Sequence, residues 1–233
     1  MIGCAIVNRK SIPLPDSPAL ALLTTAQLVA ELRGGALILD TRPADQFASL
    51  HIRGSIQISL MGRFASWAAI ILDQAQRLIL IAADAKSARE AQNRLERVRL
   101  ERISGYSIGD GDEWRKAGLE LASISIERCE NIQRALESGS SLQLIDVRSR
   151  AEWLKGHLPG AISLPLLDLD PKERIIDPSR PSLLYCHEGF RATTAASILL
   201  RESAANVGIL IDGIEGWSAL GLQLEMPDHP PSN

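Results

Sequence analysis

Hydrophobic and polar positions along the chain fall into two rhythms. Short apolar runs bounded by turn formers predict buried strands at Leu37 to Leu39, Leu78 to Ile81, Leu142 to Ile145, Leu183 to Tyr185 and Val207 to Ile211. Stretches with one apolar face predict helices. Thr25 to Arg33 has Thr24 or Thr25 as N-cap and Gly34 as its stop, while Ile126 to Glu137, followed by Gly139, and Thr193 to Arg201 are two more. Short strands alternating with amphipathic helices form a parallel sheet flanked by helices on both faces, so the expected class is α/β.

The pattern occurs twice. Leu37 to Leu60 reads LILDTRPADQFASLHIRGSIQISL and Gln143 to Leu166 reads QLIDVRSRAEWLKGHLPGAISLPL, with Asp40, Arg42, His51 and Gly54 recurring as Asp146, Arg148, His157 and Gly160. Leu78 to Ala82 matches Ser182 to Cys186, and the segment around Trp114 matches that around Trp217. The expected organisation is an extended tail over 1–18, one copy over 19–122, a second over 123–226 and a C-terminal tail over 227–233. Pro13, Pro15 and Pro18 at one end and Pro227, Pro230 and Pro231 at the other suit extended ends.

Composition narrows the function classes. With 25 basic against 28 acidic residues and a net charge of −3, the 233-residue chain lacks the clustered basic excess of a broad nucleic-acid footprint. No apolar run approaches the ~20 residues of a membrane span. MIGCAIVNRK is too short and wrongly charged for a signal-peptide core, so the expected location is the cytoplasm. Cys4, Cys129 and Cys186 are three cysteines at unrelated spacings, which supports neither a disulfide framework nor a zinc pattern; no metal and no cofactor is expected.

Cys186 stands apart. It lies in Cys186-His187-Glu188-Gly189-Phe190-Arg191, between an apolar strand and a helix expected to begin at Ala192 or Thr193. A cysteine at a strand's carboxyl end facing a helix N-terminus meets unpaired N–H groups and the positive end of the helix dipole, which favour a thiolate nucleophile. Gly189 lets the loop curl, His187 and Arg191 add positive charge, and Glu188 opposes it. Cys129, in a predicted helix, reads as structural.

These residues carry a resemblance. The second copy resembles a rhodanese domain through Leu144 to Arg148 (LIDVR), Gly156 to Ala161 (GHLPGA), the Cys-x-x-Gly-x-Arg loop of Cys186, Gly189 and Arg191, and Asp212-Gly213 with Trp217. The whole chain resembles a tandem of two such domains, from about Thr24 to Leu224. The resemblance implies that Cys186 takes a sulfane sulfur from thiosulfate or a thiol persulfide such as glutathione persulfide. A persulfide would then form and pass the sulfur to an acceptor such as cyanide or sulfite. The first copy has Ala82, Ala85 and Ser87 where the second has Cys186, Gly189 and Arg191, so it resembles the inactive repeat of two-domain members, with a structural or docking role.

Met61-Gly62-Arg63-Phe64-Ala65-Ser66-Trp67-Ala68 further resembles the inactive repeat of proteins that fuse a metallo-β-lactamase-fold persulfide dioxygenase to two rhodanese domains, and Val7-Asn8-Arg9-Lys10 resembles the seam after the metal domain. The expectation is a rhodanese tail without the metal domain, with a persulfide dioxygenase or sulfur-carrier protein as partner. Cysteine phosphatases and arsenate reductases share the Cys-loop-Arg logic but use Cys-x5-Arg, whereas Cys186 and Arg191 give Cys-x4-Arg, a loop suited to one sulfur atom. A non-catalytic regulatory module is the other alternative, favoured by the silent first copy and opposed by the intact loop.

The remaining motif residues read as structural. Asp40 and Asp146 are expected to cap the helices that follow, Arg42 and Arg148 to pair internally, and His51 and His157 to sit in turns beside Gly54 and Gly160. Trp114 and Trp217 are expected to anchor the last helix of each copy, and Arg89 to Arg102 to form a solvated helix face.

Overall fold

Four-residue runs of aliphatic side chains become central strands because a parallel sheet covered by helices on both faces buries every position. The computed structural model describes residues 19–109, 111–171, 175–202 and 206–227. The expected N-terminal tail over 1–18, with Cys4 and the Val7-Asn8-Arg9-Lys10 segment, lies outside these residues, as do residues 228–233 of the C-terminal tail.

The first copy runs α1 (Thr25–Arg33), β1 (Leu37–Asp40), α2 (Ala44–Ser49), β2 (His51–Ile52), β3 (Ile56–Gln57), α3 (Phe64–Ile71), β4 (Leu78–Ile81), α4 (Ala85–Glu96), β5 (Ile103–Ser107), α5 (Gly111–Lys116) and β6 (Leu121–Ala122). The second runs β7 (Ser125–Glu127), α6 (Cys129–Glu137), β8 (Gln143–Asp146), α7 (Arg150–Trp153), β9 (Ile162–Ser163), a 3-10 turn (Leu166–Asp168), β10 (Ser182–Tyr185), α8 (Phe190–Glu202), β11 (Val207–Leu210) and α9 (Gly213–Ala219). The sheets are parallel, in the orders β3-β1-β4-β5 and β7-β11-β10-β8-β9. The copies are therefore superposable in topology. The first has a single parallel bridge, Leu22 to Tyr106, where the second has β7. The short β2 and β6 pair antiparallel.

α1 has the expected bounds, closed by a Thr24–Gln27 capping box and by Gly34. The predicted helix over Ile126 to Glu137 is corrected: Ser125–Glu127 pairs with β11 as an edge strand, and the helix starts at Cys129. Ile126 has the β-branched side chain of a strand, and register with Ile209 outweighs its apparent place in a helical pattern. Asp40 and Asp146 cap no helix. Each instead accepts the backbone N–H two residues on and a forked guanidinium, Arg42 or Arg148, and it is Ser149, in a capping box with Glu152, that starts α7. The internal pairing of both arginines is as expected. His51 lies in β2 rather than in a turn and stacks on Phe47. Nor is Arg89 to Arg102 one solvated face: α4 ends at Glu96, and Arg94 donates to the carbonyls of Leu60 and Gly62 and lies over the Phe64 ring.

The two copies share a core. The apolar cluster around Ile145, Leu184, Cys186, Ala195 and Leu199 in the second copy also contains Phe47 and Ala48 of α2 in the first. α8 lies against β3: the buried Gln57 N–H donates to Ser197 Oγ at 3.0 Å, and Arg201 donates to Gly54 O at 3.0 Å. Among the described residues no helix is long and apolar enough to cross a membrane.

Replacing Ser197 by Ala strands the buried Gln57 N–H at the edge of the first sheet, a loss of about 1–3 kcal/mol. Urea unfolding of Ser197→Ala is expected to show a lowered midpoint with an unchanged slope; an unchanged midpoint would remove this hydrogen bond as a link between the copies.

Candidate functional site at the carboxyl end of β10

β10 carries the chain from the buried Tyr185 straight into Cys186, whose side chain is 1% exposed. The loop that follows is pinned from both sides. The carbonyls of Cys186 and His187 accept the N–H groups of Ile214 and Glu215, and Gly189 O accepts both Thr193 N and Thr193 Oγ1 at 3.0 Å. Two glycines make this approach possible. Gly189 has φ +83°, and a Cβ there would lie 2.6 Å from Ile211 O; Gly213 has φ +58°, and a Cβ there would collide with His187 O.

α8 begins at Phe190, two or three residues before the expected start at Ala192 or Thr193, because Gly189 can take the positive φ that starts the helix directly behind the loop. Arg191 therefore belongs to the first helical turn, where N–H groups have no intrahelical acceptor. Among the described residues, no protein acceptor takes the N–H of His187, Glu188, Gly189, Phe190, Arg191 or Ala192. Cys186 thus faces a set of unspent donors.

The first copy differs at the matching turn, where a side chain of the loop itself takes a helix N–H. Ala82 takes the place of Cys186 at the end of β4, and the Asp84 carboxylate caps α4 by accepting Ser87 N at 2.7 Å, which draws the Asp84 carboxyl below its usual range. Ala82 provides no nucleophile, and the Asp84 carboxylate places negative charge at the helix start where an anion would otherwise be favoured.

Of the predicted loop residues, Cys186, His187, Glu188, Phe190 and Arg191 line one cavity of about 190 Å³, while Gly189 lies buried behind it. Arg191 does not point a free charge at the sulfur. Its guanidinium is forked onto Glu152, Nη1 to Oε2 at 2.8 Å and Nη2 to Oε1 at 2.7 Å, and that pairing raises the Arg191 pKa further. His187 pairs with Glu215 at 3.2 Å on the rim. The other predicted residues lie elsewhere. Asp146 and Arg148 are buried at the end of β8, where Arg148 also donates to Gly156 O; His157 stacks on Trp153 with ring centroids 3.4 Å apart. Gly160 donates its N–H to Glu225, and Trp217 anchors α9 by donating to Gln223 O. Cys129 is buried under α9, with its thiol pushed up to about 12 by burial and by the charges of Asp212 and Glu130; it is inert.

The sequence reading missed half of the cavity. Ile58, Ser59, Met61, Gly62, Arg63 and Trp67, all from the first copy, line the same cavity as Cys186. The available signal was the spacing between matched residues, which falls by two between Gly54/Gly160 and Ala82/Cys186 and so marks the segment where the copies diverge into α3. Glu152 was missed because its partner Arg191 is distant in sequence.

Glu152 offers a pH test. The Arg191 guanidinium, with Ser149 helping against the opposing effect of partial burial, holds its carboxyl at about 2 instead of 4.5. A depressed folded-state pKa stabilises fully above the unfolded value and ceases to do so as pH falls through the folded value. The difference in Tm between the natural chain and Glu152→Gln is therefore expected to be constant above about pH 5 and to close between about pH 4.5 and 2. A gap independent of pH over that range would contradict the pairing.

Known proteins match both halves of the chain. The model of the rhodanese-like domain matches residues 24–117 and again 129–220. A sulfurtransferase from Allochromatium vinosum is 28% identical over 99 residues, 42% of this chain and 92% of its own length. The putative sulfur carrier protein YrkF of Bacillus subtilis is 26% identical over 108 residues, 46% of this chain, which spans 57% of that relative. A thiosulfate sulfurtransferase structure from Pseudomonas aeruginosa aligns with 89% of this chain and 44% of its own, at 23% identity and a TM-score of 0.41. Two matched stretches, covering most of the sequence, establish that the chain belongs to the rhodanese-like family as a tandem of two domains.

Proposed function

We propose that the chain is a sulfurtransferase that carries a sulfane sulfur on Cys186. The observation that carries this reading is the position of Cys186: at the end of β10, in a cavity, under loop and helix N–H groups with no protein acceptor. In the first half-reaction the Cys186 thiolate attacks the terminal sulfur of a thiol persulfide R–S–SH. The Cys186 S–S bond forms as the R–S–S bond breaks, and the thiolate RS⁻ leaves with the electron pair. In the second, a nucleophile such as sulfite or cyanide attacks the outer sulfur and returns the Cys186 thiolate. Both steps are exchanges at sulfur, so electrons balance without a redox cofactor. The free donors act where negative charge resides on the outer sulfur, which is where preorganised N–H groups are most effective.

Thiosulfate and thiol persulfides differ in where their charge lies. Thiosulfate brings a sulfonate charge next to the transferred sulfur, close to the exposed Glu188 on the cavity wall, so a thiol persulfide is the better donor.

Two measurements check these statements. Mass spectrometry after incubation with thiosulfate or glutathione persulfide is expected to find one added sulfur atom, retained in Cys129→Ala and lost in Cys186→Ala; no gain with any donor would refute the enzyme reading. In Glu188→Gln, kcat/KM for thiosulfate is expected to rise several-fold relative to the persulfide, whereas an unaltered thiosulfate rate would show that Glu188 does not govern donor choice.

A further inference from the structure

Arg63 is an exposed residue at the start of α3, lining the cavity across from Cys186. Other basic side chains near the loop are engaged: Arg191 is forked onto Glu152, His187 Nε2 lies against Glu215, and Arg94 is bound to the carbonyls of Leu60 and Gly62. The Arg63 guanidinium makes no hydrogen bond or ion pair among the described residues. The backbone that carries it is fixed while its charge is not neutralised. Arg94 fixes the 60–62 segment by two carbonyls and packs over Phe64, and the Arg63 carbonyl accepts Trp67 N, closing the first turn of α3. That turn has no side-chain cap, so its own N–H groups add positive potential beside the guanidinium. Met61 and Trp67 supply apolar surface on the same wall.

The electrostatics of the cavity are thus asymmetric. The wall carrying Cys186 has its carboxylate, Glu188, on the loop, whereas the wall from the first copy presents an unpaired guanidinium and no carboxylate. A donor whose negative charge is adjacent to the sulfane sulfur meets Glu188. A donor whose carboxylate is set back from that sulfur by intervening atoms can place the sulfur at Cys186 and the carboxylate at Arg63, with Met61 and Trp67 beside the atoms between them.

We infer that Arg63, on the copy without a nucleophile, is the specificity-determining residue for the sulfur donor, and that the donor is a thiol persulfide bearing a carboxylate. This rests on the sulfurtransferase reading of Cys186 and adds to it a binding role for the silent copy. The guanidinium fork recognises a carboxylate by a charge-assisted pair, which is screened by salt because Arg63 is exposed.

The test compares donors and then avoids turnover altogether. With glutathione persulfide and cysteine persulfide as carboxylate-bearing donors and 2-mercaptoethanol persulfide as the uncharged one, Arg63→Gln is expected to lower the carboxylate-to-uncharged ratio of kcat/KM by about tenfold. Arg63→Glu is expected to shift preference toward cysteamine persulfide, which carries a cation. In parallel, the rate of Cys186 alkylation by iodoacetate relative to iodoacetamide, measured at low salt, is expected to fall at least threefold in Arg63→Gln. An unchanged donor ratio, whether absolute rates hold or fall together, would overturn the assignment, as would an unchanged alkylation ratio. Loss of sulfur transfer from every donor in the natural chain would instead strike the sulfurtransferase reading, while the alkylation ratio would still report whether Arg63 governs anion access to Cys186.

Discussion

Burial of α8 between two sheets is the constraint on which the rest of the molecule depends. From Ala192 to Ser197 every side chain of this helix is buried, which a helix lying on one sheet does not require. One side packs on β10 and β11 and the other on β3 of the first copy. Ala, Thr and Ser are small enough for this double approach, and the hydroxyls close their own hydrogen bonds: Thr193 and Thr194 to carbonyls one turn back, Ser197 to Thr194 O. Since α8 begins immediately after Gly189, fixing the helix also fixes the loop and the donors that face Cys186.

The same packing explains why a copy without a nucleophile is retained in the architecture. Its α4 is capped by the Asp84 carboxylate, and Ala82 stands where the second copy has Cys186. Its contribution is made instead through β3, which seats α8, through Phe47 and Ala48, which complete the core around Cys186, and through the Met61 to Trp67 segment, which forms the opposite wall of the cavity. One copy supplies Cys186 and the other supplies part of its surroundings.

Much of this was legible in the residue order. Runs such as Leu78 to Ile81 and Leu183 to Tyr185 have a single reading once they alternate with helical stretches, and the recurrence of Asp40, Arg42, His51 and Gly54 in the second half settles that there are two copies. Cys186 was legible too, because strand end, Gly189 and Arg191 lie within a few residues. What escaped depends on contacts far apart in sequence. Ile126 reads as helical until β11 is placed beside it; Arg191 reads as a free cation until Glu152 is found within 2.8 Å; Arg94 reads as solvated until the 60–62 turn is folded onto it. The Ala192 to Ser197 run carried a signal of its own, since six small residues in succession give a helix no polar outer face, but which surface would cover it lay in the other copy.

A structure of the chain determined after exposure to a persulfide donor tests the account most directly. The expected result is one additional sulfur atom bonded to Cys186 Sγ, within hydrogen-bond distance of N–H groups from the 187–192 loop and helix turn and facing the wall formed by Met61, Arg63 and Trp67. An unmodified Cys186, or sulfur attached to Cys129 instead, would contradict it.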